Sequence, residues 1–312
     1  MSMTDNTEVA GHFWSVVLAC GEGARMRAMI KATFGASNRK QPLSMQGNRS
    51  LFQSTLYRTR RISSRGEIIA VTVGDFEQIS RTQIGRNRAE LLVQAADQGT
   101  TSAIFLALSH IMARDPNACV GIFPSHHYVE PEDAFVRLVQ RAVGLSALVP
   151  EKLILIGATP DRMESACSWL VPGATIACYG GSSLSNVLAF REKPSTKEAR
   201  NIHQAGGLWS TFIIIGKAQT FFDIGATCTP GAASRLFRYQ SAVDRCKEST
   251  DHTSLSETVL HSDFSNDVLQ HVPDRLAAFH LTGLHWSDWG RYERASRSIT
   301  QDHDVEPGRL QC

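Results

Sequence analysis

Short apolar runs alternate with amphipathic stretches along this chain: Phe13–Ala19, Ser50–Ile62, Ile68–Val73, Thr100–Ala113 and Ala118–Phe123. A short apolar run suits a strand buried on both faces, and an amphipathic stretch between two such runs suits the crossover helix that parallel strands require. The pattern predicts βαβ units, hence an α/β fold of Rossmann-like type with a mostly parallel sheet flanked by helices. The stretch from about Thr100 sets Ile104, Leu108 and Ile111 on one helical face and is stopped by Asp115-Pro116. The following strand ends at Pro124, so what comes next stands at a strand's C-terminal edge, where open α/β sheets bind ligands. A second series is predicted downstream: helix 131–143, strand 152–158, a loop through Gly173, strand 186–191, helix 196–205 and strand 211–216. A polar helical stretch over 230–272 and a last strand near 275–280 complete it. Residues 1–12 and 296–312 read as flexible ends, leaving one domain over 13–295.

A chain of 312 residues with 42% hydrophobic and 20% charged residues can bury the core of such a domain. Its net charge of +2 is too mild to supply the clustered positive charge that nucleic acid or an anionic membrane demands. No apolar run approaches the ~20 residues that span a bilayer, and the polar stretch Met1–His12 has no signal-like core. A cytoplasmic protein is expected. Its seven cysteines, odd in number and without a C-x-x-C pair, read as reduced core thiols.

The first apolar run passes directly into Cys20-Gly21-Glu22-Gly23-Ala24-Arg25. Glycines let a backbone approach phosphate oxygens and aim N–H groups at them, and an arginine adds a bidentate charge. The turn lacks the Gly-Lys-Ser/Thr ending of a Walker A loop and the third glycine of a dinucleotide fingerprint. On its own it reads first as a structural turn and second as a phosphate cradle. A nicotinamide-dependent reading is not expected, since no acidic residue closes a second strand ~20 residues on.

The continuation narrows the choice. Leu18-Ala19-Cys20-Gly21-Glu22-Gly23-Ala24-Arg25-Met26, then Arg39-Lys40-Gln41, then Gly47-Asn48-Arg49-Ser50-Leu51-Phe52-Gln53-Ser54-Thr55-Leu56 resemble the opening of the sugar-phosphate nucleotidyltransferases: L-A-G-G-x-G-x-R-L, P-K-Q, G-x-x-S-L-x-Q-x-T-L. Gln94 to Thr100 looks like the family's Q-P-x-x-R-G-T, and Phe123-Pro124-Ser125-His126-His127-Tyr128-Val129 like the guanylyltransferase signature F-P-S-D-H-Y-V. Phe190-Arg191-Glu192-Lys193-Pro194 matches F-x-E-K-P, Gly206-Gly207-Leu208-Trp209-Ser210-Thr211-Phe212 matches G-G-L-W-N-T-F but for Ser210, and Trp286-Ser287-Asp288-Trp289-Gly290 matches W-S-D-W-G. The resemblance runs from about Phe13 to Tyr292, and the β-helix or cupin-like extension of some relatives is not expected within these residues.

By position, the resemblance implies that Gly21, Gly23, Arg25 and Lys40 hold a nucleoside triphosphate, and that Gln94, Gly99 and Thr100 lie against its base. It implies that Glu192, Lys193 and Ser210 face a sugar 1-phosphate, and that Mg²⁺ or Mn²⁺ is held at Asp288 and at the place taken by His126. Arg25, Lys40 and Asp288 would then carry catalysis, and a homo-oligomer is compatible with the reading. The pattern is departed from at Cys20, at His126 in place of Asp, at Ser210 in place of Asn, and at Ser165-Ala166-Cys167-Ser168 in place of T-E-Y-G. The adjacent histidines do not make a zinc site, for no cysteine or carboxylate stands at ligand spacing nearby. Two functions follow from the resemblance: guanylyl transfer to a sugar 1-phosphate such as mannose 1-phosphate, or a catalytically impaired relative that binds a nucleotide or nucleotide sugar as a regulatory protein.

Overall fold

The computed structural model describes residues 13–19, 44–46, 49–63, 67–94, 96–231, 234 and 261–288. The glycine turn with Cys20, Gly21, Gly23 and Arg25, the following Lys40, both chain ends and most of the stretch 230–272 lie outside the described residues.

The expected α/β architecture is present. Strands β1 (Phe13–Ala19), β4 (Ile68–Val73), β5 (Glu90–Gln94) and β6 (Cys119–Pro124) form a parallel run in the order β5-β4-β1-β6. Next to β6 lie β11 (Leu208–Lys217), β8 (Leu153–Ala158), β12 (Leu276–Leu281), β10 (Ser182–Arg191) and β9 (Trp169–Tyr179). Of these, β12 and β8 are parallel to each other, whereas β11 runs antiparallel to both β6 and β8. Two short ribbons stand apart, β2 (Ser44–Gln46) with β3 (Arg49–Ser50), and β7 (His127–Glu130) with β13 (His285–Asp288).

Helices α1 (Leu51–Ile62), α2 (Glu77–Ile84), α3 (Gly99–Met112), α4 (Glu132–Ser146), α5 (Thr196–Gln204) and α6 (Ala218–Cys228) flank the sheet, with a single-turn α7 (Phe264–Asp267) near its end. One core packs Val16, Val120, Ile122 and Ile214 against α3 and α6, and a second packs Val17, Ala70, Ile154 and Ile215 against α1 and α4. Adjacent residues of one strand enter opposite cores, which is what a sheet covered on both faces requires. Ile104, Leu108 and Ile111 are buried on α3 as expected.

Three expectations need correction. The segment through Gly173 is not a loop but the edge strand β9, whose pairing with β10 tolerates Pro172 because register shifts break the ladder there. Helix α6 was not anticipated between the last long strand and Pro230. The thiols are not all core: Cys167 is buried, Cys119 and Cys228 are half-buried, and Cys178 is exposed on β9. Burial pushes the Cys119 thiol up to about 11, so it stays protonated at neutral pH. Among the described residues no helix is long and apolar enough to cross a membrane.

Candidate active site

Register places the described candidate residues along one edge of the sheet. Leu18 lies opposite Pro124, Ala19 opposite Thr72, and Val73 opposite Gln94, so β1, β4, β5 and β6 end together. Strand β1 ends at this edge with Ala19, the last described residue before the glycine turn. Because β11 is antiparallel to β6, its first residues, Leu208 to Ser210, come to the same edge. Register shifts in β10 bend that strand so that Arg191 pairs with Trp169, which also pairs with Trp209. The Glu192-Lys193 turn is thereby carried to the Ser210 end of β11.

Gln94 is the last residue of β5 and is 4% exposed, yet its Oε1 has no hydrogen-bond partner among the described residues. A buried acceptor left alone costs about 1–3 kcal/mol, a cost that a donor on a ligand removes. Gly99 and Thr100, expected against a base, also hold structural contacts. Gly99 has φ +83°, and a Cβ there would stand 2.2 Å from the Ser262 carbonyl oxygen. The Thr100 hydroxyl accepts from Phe264 N at 2.8 Å and donates to Asp263 Oδ2 at 3.3 Å. Both residues dock the start of α3 onto the segment that leads into α7. Gln98 is the N-cap of α3, without a side-chain cap bond.

Other stretches of the family pattern also have structural explanations. Ser50 and Gln53 form a reciprocal capping box at the start of α1, Gln53 N donating to Ser50 Oγ at 3.1 Å and Ser50 N to Gln53 Oε1 at 3.0 Å. Gly206, at φ +80°, and Gly207 close the C-terminus of α5 by donating to the carbonyls of His203 and Ile202.

At the middle of the edge, antiparallel pairing of β13 with β7 sets Asp288 opposite His127. The neighbouring His126 then meets Asp288, Nε2 to Oδ1 3.3 Å, with the side chains 21% and 28% exposed. The ring of His127 packs edge-on against both His126 and Trp286, at 5.2 and 5.1 Å between centroids. Beneath the ribbon the buried Arg58 donates to the His127 carbonyl at 3.0 Å and to Thr55 Oγ1 at 2.8 Å, and pairs with Glu132 at 3.2 Å. Burial pushes the Arg58 guanidinium down to about 10, and Glu132 works against that shift. Sequence reasoning passed over Arg58, since nothing in its surroundings on α1 marks a residue that reaches β7.

The two residues offered for a metal do not suit Mg²⁺. That ion demands hard oxygen ligands in a near-octahedral set, and here one of two protein ligands is an imidazole already set against the other's carboxylate. No group of three or more His, Cys, Asp or Glu residues able to hold a metal occurs among the described residues.

At the far end of the edge Glu192, its side chain 7% exposed, is held on both oxygens: by the Ser168 hydroxyl and by Lys193 Nζ at 2.9 Å. Its backbone N donates to Gln270 Oε1 at 3.2 Å, while Lys193, at φ +42°, leaves its ammonium half-exposed. Ser210 N donates to the Ser168 carbonyl at 2.8 Å, and Ser210 Oγ accepts from Phe212 N at 3.4 Å. Ser168 therefore belongs to this cluster, in a segment where departure from the T-E-Y-G pattern was the only sequence signal. Arg162 was likewise missed; its guanidinium lies 5.4 Å over the ring of Trp209.

A family model described as "Nucleotidyl transferase" matches residues 14–301. The chain is 23% identical to the xanthan biosynthesis protein XanB of Xanthomonas campestris pv. campestris over 296 residues, covering 92% of this chain and 59% of that protein. It is 26% identical to the alginate biosynthesis protein AlgA of Pseudomonas syringae pv. tomato over 214 residues, covering 67% and 42%. To a mannose-1-phosphate guanylyltransferase of Sinorhizobium fredii it is 22% identical over 295 residues, covering 92% and 55%. The chain thus spans 42–59% of the length of these curated relatives. In fold it is similar to the crystal structure of a mannose-1-phosphate geranyltransferase from Thermus thermophilus, with a TM-score of 0.74 at 18% identity over 96% of this chain and 81% of that one. A mannose-6-phosphate isomerase from Helicobacter pylori follows at a TM-score of 0.67 and 15% identity, over 89% and 100%. With that family model matched over residues 14–301, the chain belongs to the nucleotidyl transferase family.

Proposed function

We propose that this protein joins a nucleoside triphosphate to a sugar 1-phosphate: a phosphate oxygen of the sugar 1-phosphate attacks the α-phosphate, and pyrophosphate leaves. The observation that carries the reading is the order of the described stations along one edge, with Gln94 at one end, His126 and Asp288 in the middle, and Glu192, Lys193 and Ser210 at the other. Phosphoryl chemistry of this kind asks the protein for little covalent work; it needs positioning and positive charge. Arg25 and Lys40 would neutralise the triphosphate, and Lys193, with half its side chain open to solvent, would hold the sugar phosphate. Removing one such group costs a factor of ~10²–10³ in rate.

Guanine is the base that Gln94 fits best. An unpartnered amide oxygen needs a donor, and guanine offers N–H groups at both N1 and N2. Mannose 1-phosphate is the sugar proposed, because the motifs around His126 and Asp288 follow the guanylyltransferase pattern. A second reading, a nucleotide- or nucleotide-sugar-binding protein with little turnover, is favoured by one observation, the His126–Asp288 contact.

Pyrophosphate release, measured with four nucleoside triphosphates against mannose 1-phosphate and glucose 1-phosphate, tests the proposal. Release with GTP and mannose 1-phosphate above all other pairs is expected. Release with a different pair would retain the reaction and replace the substrates. No release from any pair, from protein that binds a nucleoside triphosphate, would leave the second reading.

A further inference from the structure

Two carboxylates meeting at one point concentrate two negative charges, and a triphosphate brought beside them adds more. A divalent cation relieves that repulsion. Here the strand pairing that sets Asp288 opposite His127 brings an imidazole, not a second carboxylate, against Asp288 Oδ1. Whatever its protonation, the pair carries at most one negative charge. The carboxylate oxygen that a cation would seek already faces a ring nitrogen at 3.3 Å. Imidazole also offers what the cation would have offered a phosphate oxygen, a positive or N–H-donating group. The ring is braced where it stands by the edge-on packing of His127 between His126 and Trp286, and the His127 carbonyl is tied to Arg58.

We infer that this chain binds the phosphate chain of its nucleotide without a divalent cation, His126 replacing the metal as the group set against Asp288. The inference rests on the nucleotidyltransferase reading above and adds to it how the nucleotide is held.

Calorimetric titration of GDP-mannose, UDP-glucose and dTDP-glucose into wild type, His126→Ala and His126→Asp, each in EDTA, in Mg²⁺ and in Mn²⁺, tests it. For the nucleotide sugar that binds, the wild-type dissociation constant is expected to agree within about 3-fold across the three conditions. His126→Asp should bind about 10-fold or more weakly in EDTA and recover with either cation, since two carboxylates then face the phosphates. His126→Ala removes the ring without adding charge and should bind about 10-fold more weakly than wild type in EDTA, whereas wild-type affinity in this variant would overturn the role of His126. It also keeps the test open should the Asp variant fail to fold. Wild-type affinity raised about 10-fold or more by Mg²⁺ or Mn²⁺, with binding otherwise intact, would overturn the inference alone. Failure of the wild type to bind any nucleotide sugar or GTP in any condition would remove the nucleotidyltransferase reading along with it.

Discussion

Gln94 shows how a single side chain separates a binding role from a structural one. A glutamine whose carbonyl oxygen is buried without a partner among the described residues gains nothing from them through that atom to offset its desolvation. Methionine has nearly its shape without the amide. Gln94→Met is therefore expected to leave the melting temperature unchanged or raise it by a few degrees while weakening GTP binding about 10-fold. Thermal unfolding and calorimetry on the same preparation check both halves, and a variant that loses stability but keeps its affinity would make Gln94 a structural residue. At this scale the sequence was informative about which residues to inspect and less so about what they do. Gly99 and Thr100 sit in a motif tied by resemblance to a nucleotide base, yet their partners are Ser262, Asp263 and Phe264. Those partners lie more than 160 residues away in the chain, and no local pattern could have named them.

Among the elements, the start of α3 is held by that same contact. Gly99→Ala would combine an unfavourable positive φ with a Cβ placed against the Ser262 backbone, and backbone cannot step aside as a long side chain can. A loss of about 2 kcal/mol or more in unfolding free energy is expected from denaturant titration. A loss below about 0.5 kcal/mol would mean that the 261–264 segment is not packed on α3 as described. Elements with strong periodicity or a stop signal were legible in advance: α1 from its amphipathic stretch, α3 from its apolar face and its Asp115-Pro116 stop, β1, β4 and β6 from their apolar runs. Strand β9 was not, because Pro172 and Gly173 are strand-breaking residues whose cost is relieved here by register shifts against β10. The β7–β13 ribbon was also beyond local reading. It joins residues 285–288 to residues 127–130, and only that pairing brings His126 to Asp288.

For the molecule as a whole, the sheet brings the ends of β5 and β6 and the start of β11 to one edge and the β7–β13 ribbon adds Asp288, while the site was legible beforehand through the resemblance of its motifs. What the sequence could not convey is the charge at the middle of that edge, which depends on the His126–Asp288 contact. Pyrophosphate release by wild type and by His126→Asp, followed over a Mg²⁺ titration with GTP and mannose 1-phosphate, shows whether the residue at position 126 governs the use of metal. A carboxylate at position 126 would restore an oxygen ligand beside Asp288, so Mg²⁺-dependent turnover should rise about 10-fold or more, with wild type weak throughout the titration. Wild-type turnover that rises strongly with Mg²⁺ and equals or exceeds that of His126→Asp would contradict the account.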